Sequence, residues 1–344
     1  MKKLRAIAAL ALIFVMMAGI FAGCSSSKKE NIIVMTINGQ SVYFDEYLYY
    51  IKSASDTYND DRTALESAML ETGLTFEELV KRDALQSLRV SYATFAKAKE
   101  YGVVLSDAEK KSIENDRAEM IKQMGSEKAY EDTLLEMGLT DALATKSSEL
   151  TILTQKMLNE VFYAPNGKEG YSEKELKQYF DDNFIHIRQL FFSSATAISD
   201  TQKADKEALA NDVFSQIKDG SADFEAMLDK YGEDENMASS DVGYVFPPGL
   251  FDESIEDVCF ALDIDEMSDI IKDDTGWHIF KRLEIPADFY DNNKDNIRST
   301  VSTIAFYNAL EKWENEAVIE WRDNFEKMSV GEITAYHDAE KSKK

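Results

Sequence analysis

The chain has 344 residues, with 38 Lys and Arg against 64 Asp and Glu, a formal net charge of −26 at pH 7, and only 3 His and 2 Cys. So negative a chain is a poor binder of nucleic acid, and an anionic membrane surface repels it. Two cysteines exclude a disulfide-built scaffold, so a core must hold the fold; at about 150 residues per domain the length suggests two domains.

The N-terminus, "MKKLRAIAALALIFVMMAGIFAGC", opens with Lys2, Lys3 and Arg5, runs through apolar residues from Ala6 to Ala22, and ends in Gly23 and Cys24. A basic start, an apolar stretch and small residues before a cleavage point make a secretory signal. The apolar run is short for a spanning helix, which needs roughly 20 residues. "FAGC" resembles the lipobox of bacterial lipoproteins, with Phe21 where Leu is commoner. That resemblance implies loss of residues 1–23, lipidation of Cys24, a tether over residues 24–30, and an anchor on the outer face of the bacterial cell membrane. The other reading is an uncleaved anchor helix. Both readings put the bulk of the chain outside the cytoplasm. With Cys24 lipidated, Cys259 has no partner for an intramolecular disulfide.

A short strand pattern, Ile32 to Ile37, leads to Asn38-Gly39, a tight-turn pair. From Phe44 the apolar spacing becomes helical through Tyr47, Leu48 and Ile51. This opening resembles the start of SurA/PrsA-type chaperones. Further helices announce their own starts. Thr75 with Glu78, Ser106 with Glu109, and Ser172 with Glu175 form capping boxes; Thr140 is a cap and Gly102 a C-terminal stop. No strand run interrupts, so residues 31–182 read as mostly helical. From residue 183 short strand runs and glycine turns take over until residue 285, and Pro286 marks the exit. Helical spacing then returns at Ile297, Val301, Ile304, Leu310, Trp313, Ala317 and Trp321. One amphipathic helix is unstable alone, so residues 286–344 are expected to pack back on the first helical region, with residues 183–285 inserted between its halves. The last residues, "HDAEKSKK" with His337, read as a frayed, exposed tail.

Two stretches give the insertion its character: "FEAMLDKYGEDENMASSDVGYVFPPGLFDESIEDVCFAL" and "DEMSDIIKDDTGWHIFKRLE". Together they resemble the parvulin family of peptidyl-prolyl isomerases, whose members carry "G-D-L-G-x-F-x-x-G-x-M-x-x-x-F-E-x-A-x-F-x-L" followed by "G-E-[IM]-S-x-x-V-x-[ST]-x-x-G-[WY]-H-I-I-K". The helical flanks and the lipobox fit the PrsA-type foldase lipoproteins. The implied fold class is α+β: a mostly helical SurA/PrsA-like chaperone domain with an inserted parvulin domain, a small antiparallel sheet surrounded by helices.

The resemblance also implies a site. Val242, Phe251 and Ile255 match the positions that line a proline pocket. Asp234 in "YGED" matches a position that is Asp or Cys in the family, Thr275 the hydroxyl residue before the glycine, and His278 the second family histidine. The opening strand departs from the pattern. Parvulins begin "V-R-x-x-H-I-L-V", and aligning "LFF" of "FIHIRQLFF" with "ILV" puts Gln189 at the histidine position. His186 is three residues away and therefore on the other face of a regular strand.

Rotation about an X-Pro bond has a barrier of about 18–20 kcal/mol. A pocket that desolvates the amide and favours the twisted state lowers it by differential binding. No nucleophile, metal or cofactor is required, and no P-loop, dinucleotide fingerprint or zinc spacing is present in the sequence. The expected partners are unfolded or newly secreted polypeptides containing proline, and the membrane through the lipid on Cys24, with no nucleic acid. Two functions stay open: a foldase with weak isomerase activity, and a non-catalytic holdase whose parvulin domain only binds peptide.

Overall fold

The computed structural model describes residues 32–195, 199–239 and 243–342. The expected signal sequence and tether, Cys24 and Val242 lie outside the described residues. The chain forms two compact units. One is Tyr171–Ile304; the other joins the chain up to Gly170 with the chain from Ala305 onward.

The discontinuous unit begins with strands β1 (Ile33–Ile37) and β2 (Gln40–Tyr43). Between them Asn38 and Gly39 both take positive φ, 50° and 75°, the geometry of a two-residue hairpin turn that follows strand twist. Helices follow in series: α1 (Phe44–Asp60), α2 (Arg62–Thr72), α3 (Phe76–Tyr101), α4 (Asp107–Met124), α5 (Glu127–Glu136) and α6 (Asp141–Lys156), the last running on into a π-helical turn, Met157–Tyr163. Each expected start is present. Thr75 with Glu78 and Ser106 with Glu109 form reciprocal capping boxes, and Thr140 accepts from Leu143. Gly102 closes α3 at φ 80°. Tyr47, Ile51, Leu79 and Leu88 are at most 1% exposed and centre the core.

The continuous unit contains α7 (Glu173–Asn183), β3 (Ile185–Ser193), α8 (Asp200–Lys218), α9 (Phe224–Tyr231), α10 (Glu235–Ser239), β4 (Tyr244–Phe246), α11 (Glu253–Ala261), β5 (Ile271–Lys272) and β6 (Gly276–Leu283). Its antiparallel sheet has the order β4-β3-β6-β5. This unit is wider than residues 183–285. Leu176, Phe180 and Phe184 pack against Tyr290, Ile297 and Val301, so the flanking helical segments share its core.

The C-terminal segment departs from the sequence reading. Helix α12 (Phe289–Glu316) stops at Glu316, and Trp321 lies on strand β7 (Ile319–Trp321), antiparallel to β1 in a sheet of order β2-β1-β7. The edge of β1 offers unpaired backbone groups, and the chain takes them up. Asn38 N–H donates to Val318 O at 2.9 Å, and Arg322 N–H to Val34 O at 2.9 Å. A 3₁₀ turn, Phe325–Lys327, and helix α13 (Val330–Ser342) follow. The stretch expected to fray is therefore helical to Ser342, anchored upstream by the buried Phe325 and Ile333. The His337 side chain lies outside the described residues. Among the described residues no helix is long and apolar enough to cross a membrane.

Candidate active site

Strand β3 is the spine of the site, because it pairs with β6 along eight positions. Leu190 lies opposite Ile279 and Phe192 opposite Trp277; on the other face Gln189 lies opposite Phe280 and Phe191 opposite His278. Residues directly opposite share a face, and faces alternate along a strand. Leu190, Phe192, Trp277 and Ile279 are buried against Ala210 and Val213 of α8 and Phe224, Met227 and Leu228 of α9. The other face holds Ile187, Gln189, Phe191, His278 and Phe280. Gly276 starts β6 at φ 153°, where a Cβ would stand 2.1 Å from the Phe192 carbonyl oxygen. Glycine is required there, two residues before His278.

His278 is 5% exposed. Its ring stacks on Phe191 at 4.6 Å and faces Phe280 at 5.8 Å, with interplanar angles of 23° and 9°. Nε2 lies 3.3 Å from Thr275 Oγ1 and 3.1 Å from Asp273 Oδ1. Thr275 Oγ1 donates to the same Asp273 oxygen at 2.7 Å. Burial acts to raise the Asp273 carboxyl, but hydrogen bonds from Thr275 and His278 outweigh it and hold it below its ordinary value.

The apolar surface of this face comes from β4 and α11. Ile185, Ile187, Phe246, Cys259, Leu262 and Phe280 form its buried base, with Phe251 and Ile255 partly buried against it. Phe251 meets Phe246 at 4.6 Å and Tyr244 at 5.6 Å, edge to face. Its loop is gathered by one carboxylate. Glu256 accepts from the backbone N–H groups of Gly249, Leu250 and Phe251 at 2.7–2.9 Å. Asp234 Oδ2 accepts from the Tyr244 hydroxyl at 2.9 Å, so Asp234 reaches Phe251 through Tyr244.

The structure thus brings Thr275 onto His278, and Asp234 into one chain of contacts with Phe251. Ile255 shares the apolar surface. Gln189 is on the His278 face, half-buried, but among the described residues its side chain hydrogen-bonds neither His278 nor Asp234. His186 is on the opposite face, 4% exposed, with Nδ1 2.7 Å from the Glu284 carbonyl oxygen. Sequence reasoning missed Asp273, Glu256 and Tyr244. For Asp273 a signal existed. In the pattern V-x-[ST]-x-x-G the hydroxyl slot, three residues before Gly276, is Asp273 rather than Thr275. Among the described residues no group of three or more His, Cys, Asp or Glu is placed to hold a metal ion.

Two family models match this chain in the same order as its domains. Residues 186–284 match the family model of the PPIC-type PPIASE domain (Rotamase), and residues 1–158 that of the SurA-like N-terminal domain. A foldase protein PrsA of Caldanaerobacter subterraneus is 24% identical over 297 residues, spanning 84% of this chain and 86% of that protein. A chaperone SurA of Pectobacterium atrosepticum is 31% identical over 101 residues, 29% of this chain and 22% of its own length. The crystal structure of a PrsA peptidylprolyl isomerase from Bacillus anthracis is 20% identical, covers 67% of this chain and 95% of its own, and superposes with a TM-score of 0.36. The chain belongs to the parvulin-type peptidyl-prolyl isomerases that carry a SurA-like N-terminal domain. Within that class it is a PrsA/SurA-like foldase chaperone.

Proposed function

We propose that this chain is a lipid-anchored extracytoplasmic foldase, which binds unfolded secreted chains and weakly catalyses cis/trans isomerisation of their X-Pro bonds. The anchor is the lipid on Cys24. The parvulin-like module is residues 183–285, and residues 31–182 with 286–344 supply the chaperone domain. The observation that carries the reading is the single sheet face on which His278, held by Thr275, adjoins the apolar surface of Phe246, Phe251 and Ile255. That surface, with Val242, receives the proline ring and strips water from the amide. His278, Thr275 and Asp234 then favour the twisted amide, whose carbonyl and nitrogen are less conjugated. An interaction stronger in the twisted state than in either planar state is what accelerates rotation.

A second reading rests on Gln189. An amide donates and accepts but does not titrate, and a site lacking the first histidine can hold peptide without turning it over. Isomerisation of proline peptides with varied preceding residues separates the two. A rate above the uncatalysed one, raised further by Gln189→His, supports the foldase. No acceleration in either protein leaves the holdase, which in turn requires that a chain lacking residues 183–285 still suppress client aggregation.

A further inference from the structure

The parvulin pattern has a hydroxyl three residues before the glycine, and this chain has a carboxylate. The difference matters because of what each group can do. A hydroxyl donates or accepts and so tolerates either neutral tautomer of a neighbouring histidine; an ionised carboxylate only accepts. Asp273 Oδ1 already receives the Thr275 N–H at 2.8 Å, the Thr275 hydroxyl at 2.7 Å and the Gly276 N–H at 3.1 Å. These donors favour the ionised form, so a hydrogen bond between this oxygen and His278 Nε2 at 3.1 Å requires the proton on Nε2. The Thr275 hydroxyl spends its proton on Asp273, which turns an oxygen lone pair toward the same Nε2–H.

The rest of the ring agrees. Phe191 and Phe280 stack on the imidazole and set its plane. Nδ1 is buried and has no hydrogen-bond partner among the described residues. Nδ1 is thus unsatisfied in either tautomer, and the hydrogen bond at Nε2 decides between them.

We propose that Asp273 is a positioning residue that holds His278 as the Nε2–H tautomer, so that Nδ1 is the unprotonated ring nitrogen of the site. In a chain with Gln189 at the first histidine position, this carboxylate takes over the task of fixing the protonation of the histidine that is left. The inference rests on the isomerase reading for its purpose, but its test does not.

The test is long-range ¹H–¹⁵N correlation on the full chain labelled in histidine, at about pH 8, above the ordinary histidine range. The His278 signals are identified by their loss in His278→Gln. The wild type is expected to show the Nε2–H pattern. Asp273→Asn keeps an oxygen for the turn's backbone N–H groups but can offer an amide N–H to Nε2. It is expected to move His278 toward Nδ1–H, as an amide does in other carboxylate–histidine pairs. If Asp273→Asn does not fold, Asp273→Thr restores the hydroxyl, and both tautomers are expected. An Nδ1–H pattern in the wild type, or an unchanged pattern in whichever variant folds, overturns the proposal. If the wild type isomerises proline peptides, kcat/KM should fall about tenfold in Asp273→Asn with KM little changed. If it does not isomerise them, the foldase reading fails while the tautomer result still stands or falls by itself.

Discussion

The two faces of strand β3 begin from similar residues and are finished differently. On one, Leu190 and Phe192 are closed over by α8 and α9 and are 0% exposed. On the other, Gln189 and Phe191 stay half-buried beside His278. The histidines make the same contrast. His186 and His278 are 4% and 5% exposed, so burial does not tell them apart. Their partners do. His186 has its Nδ1 2.7 Å from a main-chain carbonyl, whereas His278 Nε2 meets two side chains that another residue or a ligand can displace. On the covered face, size and shape matter. On the other, the identity of each polar atom matters.

Substitutions test that division, the largest effects first. Phe192→Ala should cost about 4 kcal/mol by opening a cavity under α8 and α9, read as a fall in urea midpoint, while folded molecules keep their affinity for peptide. Next in size is a pH effect centred on the other face. Burial, with Glu256 nearby, pushes the Cys259 thiol from 9.0 up to about 12. Its folded value lies above its unfolded value, so the fold keeps a proton that the unfolded chain loses. The resulting stability is complete below pH 9 and is lost as the pH rises toward about 12. Cys259→Ala should flatten the stability profile over that window. Glu225→Ala removes the carboxylate that accepts from the buried Arg188 at 2.9 Å and should cost about 2 kcal/mol, again with no change in the site. The smallest change in stability, and the sharpest in function, belongs to the histidine pair. His186→Gln should cost about 1 kcal/mol and leave any isomerase rate intact, whereas His278→Gln should abolish that rate in a chain that still folds. Equal effects of the two on rate would erase the distinction between the faces.

Much of this was legible in local signals. Asn38-Gly39 and the pairs Thr75–Glu78, Ser106–Glu109 and Ser172–Glu175 act within four residues, so their spacing is enough to find the turn and the helix starts. The opposed faces of His186 and Gln189 follow from strand alternation alone. What escaped depends on distant partners. Strand β7 exists because β1 offers a free edge some 280 positions earlier, Thr36 lying opposite Glu320; by itself Ile319–Trp321 continues a helical spacing. Asp273 escaped for a different reason. A neighbouring hydroxyl, Thr275, satisfied the expectation of a hydroxyl, and only the fold showed that carboxylate and hydroxyl share one histidine nitrogen.

The pairing of β1 with β7 also sets an order of events during synthesis. The unit Tyr171–Ile304 is continuous and can fold as soon as its own residues are free. The sheet β2-β1-β7 cannot close until Ile319–Trp321 has emerged, so β1 must wait with an open edge. A long-range strand pairing of this kind is slow because the chain between must first be brought together. Folding the continuous unit early shortens the effective loop and makes the later closure easier. Pulse-labelling hydrogen exchange should therefore protect the amides of β3 and β6 before those of β1, and a chain truncated before Ile319 should fold the first pair while leaving the hairpin exposed.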